Sequence, residues 1–244
     1  MFFETVDPTR TKRMDGILRA LRAHFHGSIR VLDLGSGPGT LTARVLESFP
    51  RSRVVAVDTD PVLLRIGAQA LRRFRSRTAW VLADLRENGW SSELPVHRFD
   101  AAVSSLALHW LEEDEVRNLY RVLRKLLRPG GLIVNGDFMP SIQPEGSARP
   151  AEPYRDPKKD RVALRAFKTK WGNWWGALER EPSMREVLRE RRVRMPGKIP
   201  PRRTTGPRIP VSLEAHERAL RDAGFRKSTV SRQDRGFWLL VGAR

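Results

Sequence analysis

Residues 31–40 read VLDLGSGPGT. An apolar run stops at Asp33-Leu34 and enters a loop holding Gly35, Gly37 and Gly39. TLTARVLESFP then follows with helical spacing. A buried strand that turns at glycine into a helix is the first half of a strand–helix–strand unit, and it leaves few folds open. The rest of the unit comes at once. RVVAVD (53–58) reads as a second strand. Asp60 can cap the next helix, with Pro61 at its first position. AWVLADL (79–85) and RFDAAVSSL (98–106) are the third and fourth strands. EDEVRNLYRVLRKLLRPGG is a helix closed by a Pro-Gly-Gly turn, and LIVNGD (132–137) is the fifth strand. Apolar strands alternating with helices predict a parallel sheet covered on both faces. A helix over 8–26, with Ile17, Leu18, Leu21 and Phe25 at helical spacing, precedes it.

After Asp137 the character changes. Eleven of the 17 prolines lie between 138 and 211, with 18 basic against 8 acidic residues. The pattern resumes at SLEAHERALRDAG, with Gly224 as the residue beyond the helix end. Strands follow near 227–233 and 236–243, and GFWLLVGAR is apolar enough for an inner strand. Three segments result: an N-terminal helix and α/β core over 1–137, a basic helical insertion over 138–211, and a last helix and two strands over 212–244 that complete the core.

The glycine loop lacks the lysine and following Ser or Thr of a Walker loop, which argues against ATP hydrolysis. Its spacing is G-x-G-x-G with Thr40 next, whereas a dinucleotide fingerprint is G-x-G-x-x-G. Asp58 ends the second strand, where a carboxylate can accept bonds from ribose hydroxyls. Asp84 ends the third, and either faces a base or turns the chain.

These motifs together (LDLGSGPG, VDTDP, ADL and LLRPGGLIVNGD) resemble the class I S-adenosylmethionine-dependent methyltransferases over residues 29–137. The resemblance implies a seven-stranded, mostly parallel, Rossmann-like sheet with its last strand antiparallel. It implies S-adenosylmethionine as cofactor, held by Asp33, Gly35, Ser36, Gly37, Gly39, Asp58, Thr59, Asp84, Leu85 and Ser104. Asp33 would hold the loop or meet the cofactor's amino group. The acceptor-facing segment is then SSLALHWL (104–111). It lacks the Asn-Pro-Pro-Tyr type motif of amino-methyltransferases, and the chain has no cysteine for a pyrimidine-carbon nucleophile. ALHWL instead looks like the small-molecule branch, such as trans-aconitate and quinone-biosynthesis enzymes.

His109 is the titratable group of that segment and the candidate general base; packing against the cofactor is the competing role. Trp110 is expected to pack on the same turn, and Ser104 and Ser105 to line the pocket or relax a strand end. Asn135 and Asp137, leaving the fifth strand, are substrate candidates, with capping as the alternative. In the insertion, Trp171, Trp174, Trp175 and Leu178 share one helix face. Such a face is expected to be buried; compatibly, Trp171 and Trp175 are substrate candidates on a cover that closes over the carboxyl edge of the sheet. Arg10 or Arg13 could pair with a cofactor carboxylate; each alone reads as exposed charge.

The net charge is +18, but 38 of the 46 basic residues are arginine, a bias that a GC-rich genome produces by itself. The leading expectation is a methyltransferase acting on a small-molecule acceptor, anionic or aromatic. The alternatives are an RNA methyltransferase, for which no separate RNA-binding module is readable, and a cofactor-binding protein without turnover. No metal site is expected. There is no apolar run of membrane-spanning length and no signal-peptide pattern in MFFETVDPTR, so a cytoplasmic protein is expected.

Overall fold

The computed structural model describes residues 10–141, 157–196, 210–234 and 237–244. The first two residues of the expected N-terminal helix, and residues 142–156 and 197–209 of the expected insertion, lie outside that set. Among the described residues no helix is long and apolar enough to cross a membrane.

Seven strands form one sheet: β1 (Arg30–Leu34), β2 (Arg53–Asp58), β3 (Thr78–Leu82), β4 (Phe99–Ser105), β5 (Leu127–Phe138), β6 (Lys227–Asp234) and β7 (Phe237–Ala243). Their order is β3-β2-β1-β4-β5-β7-β6. The first five run parallel, and β7 is antiparallel to both β5 and β6. β7 is therefore an inner strand, as its apolar sequence predicts. The seven-stranded α/β expectation holds.

The helices of the core are α1 (Arg10–His24), α2 (Thr40–Ser48), α3 (Pro61–Ala70), α4 (Glu113–Leu126) and α7 (Leu213–Asp222). Local chemistry sets their ends. Asp60 caps α3 by accepting from Val62 N–H at 2.9 Å. Glu112 and Glu115 form a reciprocal capping box on α4, with acids in its first turn and Arg124 and Lys125 in its last. Ser212 caps α7, and Gly224 ends it at φ 86°. One apolar layer joins the sheet to α4 and α7 through Leu119, Leu123, Leu220 and Phe225. The opposite layer joins it to α1 and α2 through Ile17, Leu21, Val45 and Leu46.

One boundary differs from expectation. β5 begins at Leu127, which pairs with Phe99, and the register then shifts before Leu132 pairs with Ala101. The Pro-Gly-Gly turn is an excursion within the strand's span rather than the connection before it. The described part of the insertion is α5 (Pro157–Arg180), a 3-10 turn at Pro182–Met184 and α6 (Arg185–Arg194). It packs on α3: Val62, Met184 and Leu188 are buried together, with Ile66, Trp175, Leu178 and Val187 against them.

Candidate active site

The chain order places β1 and β4 side by side while their successors run to opposite edges. That is the switch point where the carboxyl ends of an open sheet leave a crevice. The glycine loop leaves β1 there at φ 65° (Gly35), 53° (Gly37) and 77° (Gly39), in the region that strains a side chain. The three glycines serve different ends. A Cβ on Gly35 would lie 2.3 Å from Ala107 Cβ, and one on Gly39 2.5 Å from the Trp80 ring. These two let the loop close on its own protein. Gly37 faces open space, with nothing within 4 Å of a Cβ built there.

The groups around that opening are polar. Gly37 N–H donates to Asp58 Oδ2 at 2.7 Å, and Asp60 N–H donates to Asp58 Oδ1 at 2.9 Å. Burial pushes the Asp58 carboxyl up to about 6, with Asp60 adding in the same direction and these N–H donors opposing. Thr59, next in the chain, is half-buried. Ser36 is buried, and its hydroxyl has no hydrogen-bond partner. Asp33 lies deeper and accepts from Thr42 Oγ1 at 2.6 Å, tying β1 to α2. Burial raises it to about 7. Asp84 is held by Arg86 through its backbone and guanidinium, in a two-residue turn, and Leu85 packs on the core. Open space at Gly37, an unpartnered buried hydroxyl at Ser36 and a carboxylate at Asp58 fit a nucleoside ligand with a polar tail.

Helix α1 covers the loop. Arg10 donates to Thr40 Oγ1 at the start of α2. Arg13 is 2% exposed, donates to Ser105 Oγ at 2.9 Å and lies over the Phe237 ring. Its expected exposure is therefore corrected. Gly136 admits it, since a Cβ there would meet the Arg13 side chain at 2.7 Å. Helical spacing could not show that a neighbouring strand leaves room for a guanidinium.

On the β4 side, Ser104 is fully buried and donates to Leu34 O at 2.9 Å, pinning β4 to β1. Leu106 follows at φ 54°, the one non-glycine residue described with positive φ. Such strain gathers at sites where the fold over-determines a turn. The turn delivers His109. Its Nδ1 lies 2.8 Å from Asp137 Oδ1, and its backbone N–H donates to Asp137 Oδ2 at 3.0 Å. Asp137 is buried and also accepts from Phe138 N–H at 2.7 Å. A carboxylate only accepts, so Nδ1 carries the hydrogen and Nε2 is the ring atom left for chemistry. Trp110 is 44% exposed beside His109, ring centroids 4.9 Å apart, rather than packed inside.

Asn135 is fully buried. It faces the layer holding Tyr120 and His216, whose Oη and Nδ1 are 2.7 Å apart. Burial pushes His216 down to about 4, so neutral His216 accepts the tyrosine hydroxyl. Trp171 stacks with Trp174, while Trp175 lies beneath Arg191 against the start of α3. The described contacts thus set Trp175 on the α3–α6 packing cluster. Sequence reasoning missed Asp60–Arg191 and Trp80. The only signals were an apparent cap, a charge in a basic run and an aromatic in a strand.

Residues 31–131 match the family model described as a methyltransferase domain. Over 112 residues the chain is 40% identical to the trans-aconitate 2-methyltransferase of Azoarcus sp. (strain BH72), covering 46% of this chain and 40% of that protein. Over 114 residues it is 30% identical to a malonyl-[acyl-carrier protein] O-methyltransferase of Paenibacillus sp. (strain JDR-2), covering 46% and 40%. The chain thus matches less than half the length of these relatives. The nucleic-acid alternative draws no support from them. A solved SAM-dependent methyltransferase from Aquifex aeolicus shares the fold, with a TM-score of 0.58 at 14% identity, covering 99% of this chain and 96% of that one. Residues 31–131 of this chain thus resemble a methyltransferase domain, and the chain shares the fold of a solved SAM-dependent methyltransferase.

Proposed function

We propose that the protein methylates a small-molecule carboxylate with S-adenosylmethionine. The observation that carries this reading is the contact of the two loops at the switch point. Gly35 meets Ala107, which sets the glycine cradle two residues from the Asp137-held His109. S-adenosylmethionine supplies a methyl group on a positively charged sulfur that leaves as a neutral thioether.

The chain's own residues do the rest. Gly37 and Ser36 offer backbone and hydroxyl contacts, and Asp58 accepts ribose hydroxyls. His109 and Trp110 form the acceptor side. Asn135, at the end of the same strand as Asp137, adds an amide. Trp171 and Trp175 would wall the crevice from the insertion. Alignment of the two reactants is the main contribution asked of the protein.

The carboxylate preference rests on the relatives, which act on trans-aconitate and on a malonyl group; both are free carboxylic acids. A carboxylate brings no proton to remove. In its protonated form His109 then donates through Nε2, with Nδ1–H facing Asp137, and orients the acceptor rather than acting as the base. A hydroxyl acceptor would restore the base role, and the His109–Asp137 geometry is compatible with it.

The test is incubation with methyl-labelled cofactor and pools of di- and tricarboxylic acids, malonyl thioesters, phenols and RNA. Label released as methanol by mild alkali marks a methyl ester and supports the proposal. Label found only in alkali-stable ethers or in RNA overturns it. Asp58→Ala is expected to weaken S-adenosylhomocysteine binding by roughly 1–3 kcal/mol, because ribose hydroxyls lose a charged acceptor. Calorimetry measures this, and unchanged affinity in a folded variant removes Asp58 from the site. In the wild type, affinity should fall as pH drops through about 6, where Asp58 takes up its proton.

A further inference from the structure

The carboxylate of Asp60 is divided between two helices. Oδ1 caps α3 at Val62 N–H, and Oδ2 accepts from Arg191 Nε on α6 at 2.7 Å. The two side chains are 5% and 6% exposed and lie 131 residues apart in the chain. The Arg191 guanidinium sits 4.6 Å from the Trp175 ring centroid. Val62, two residues after Asp60, is buried with Met184 and Leu188.

Asp60 is also one bond from the cradle. Its N–H donates to Asp58 Oδ1, and Asp58 Oδ2 accepts from Gly37 N–H. An unbroken path of hydrogen bonds therefore runs from the insertion to the glycine loop.

Stability alone does not account for this arrangement. A buried ion pair is often no better than apolar side chains of the same volume. This one also leaves Arg191 Nη2 buried without a partner, an added cost. An apolar side chain would seat α6, through Leu188, on Val62 of α3 at least as well. What Arg191 supplies is a neutralising charge at Asp60. Without it, a buried anion would stand two residues from Asp58, which Asp60 already makes harder to ionise.

We infer that Arg191 is a positioning residue for the cofactor site: by holding Asp60 it sets Asp58 and Gly37, and it couples docking of α6 to cofactor binding. The inference rests on the proposed cofactor. Coupling of this kind is reciprocal, so bound cofactor must also favour the docked insertion.

The full chain tests it by calorimetry with S-adenosylhomocysteine. Arg191→Met keeps much of the volume and removes the charge. It is expected to raise Kd about 5–150-fold, the usual range of such couplings, and also to lower the melting temperature of the cofactor-free protein, because Asp60 is left buried and unpaired. Arg191→Lys should recover most of the affinity, which a packing role would not produce. The wild type gives a second measurement that needs no variant. Saturating S-adenosylhomocysteine should slow tryptic cleavage at the exposed Arg189 and Arg192 of α6. Wild-type binding with Arg191→Met unchanged, or with cleavage not slowed, overturns the coupling and leaves the cofactor assignment standing. A wild type that binds no S-adenosylhomocysteine overturns both.

Discussion

Replacing His109 with alanine is expected to lower kcat/KM for methyl transfer to a carboxylate by about 10–150-fold, while S-adenosylhomocysteine affinity stays nearly intact. The imidazole is held through Nδ1 by Asp137, the same carboxylate accepts the His109 backbone N–H, and Phe138 N–H fixes that carboxylate in turn. The ring cannot turn, so Nε2 points one way. Loss of a single charge-assisted hydrogen bond from so fixed a donor falls on the acceptor and not on the cofactor. His109→Gln separates the two roles open to histidine. Glutamine still offers an N–H, so a carboxylate acceptor regains most of the rate. If His109 removes a proton, glutamine does no better than alanine, and the loss appears in kcat at about 10²–10⁴-fold. Wild-type rates in His109→Ala under single-turnover conditions would remove the residue from the chemistry.

The second large effect is on stability. Asp33 is buried beneath the glycine loop, and burial raises its carboxyl from 3.8 to about 7. A raised carboxyl binds its proton more tightly in the folded than in the unfolded chain. Stability therefore falls as pH rises from about 4 to about 7, then levels off. Each tenfold change in proton affinity is worth roughly 1.4 kcal/mol, so the ionised side chain costs the cofactor-free protein about 4 kcal/mol above pH 7. Asp33→Asn keeps an oxygen for Thr42 Oγ1 and removes the charge. Urea unfolding at pH 8 should show a gain of about 2–4 kcal/mol, and none near pH 4. The slope between pH 6 and 7 should vanish, while that due to Asp58 at lower pH remains. A variant less stable than wild type at pH 8 would mean that Thr42 needs an ionised partner.

The gain would come with a loss if Asp33 serves the cofactor. A buried carboxylate kept at such cost is the kind of feature that trades stability for binding. Measuring S-adenosylhomocysteine affinity of Asp33→Asn beside its unfolding curve separates the two contributions.

The sequence by itself determined the sheet and its order of construction. Apolar runs such as RVVAVD and LIVNGD have one stable use, burial on both faces, and glycine or aspartate ends each where the chain must turn. The glycine loop and Asp58 were legible for the same reason, because backbone conformation and strand-end position are local properties. The caps at Asp60 and Ser212 and the terminal Gly224 were local too.

Tertiary structure decided everything that depends on which strand lies beside which. Asp137 and His109 are 28 residues apart, and only the β4–β5 register, pairing Ser104 with Asn135, brings them together. Arg13 reads as one charge among many until Gly136 makes room for it beneath β5. Arg191 sits in the run RERRVR, where five neighbours face solvent and one docks on Asp60. Spacing within a helix fixes which residues share a face, but not what that face meets. Whether a charge is solvated or buried is settled by the partner surface, and that surface comes from a distant part of the chain.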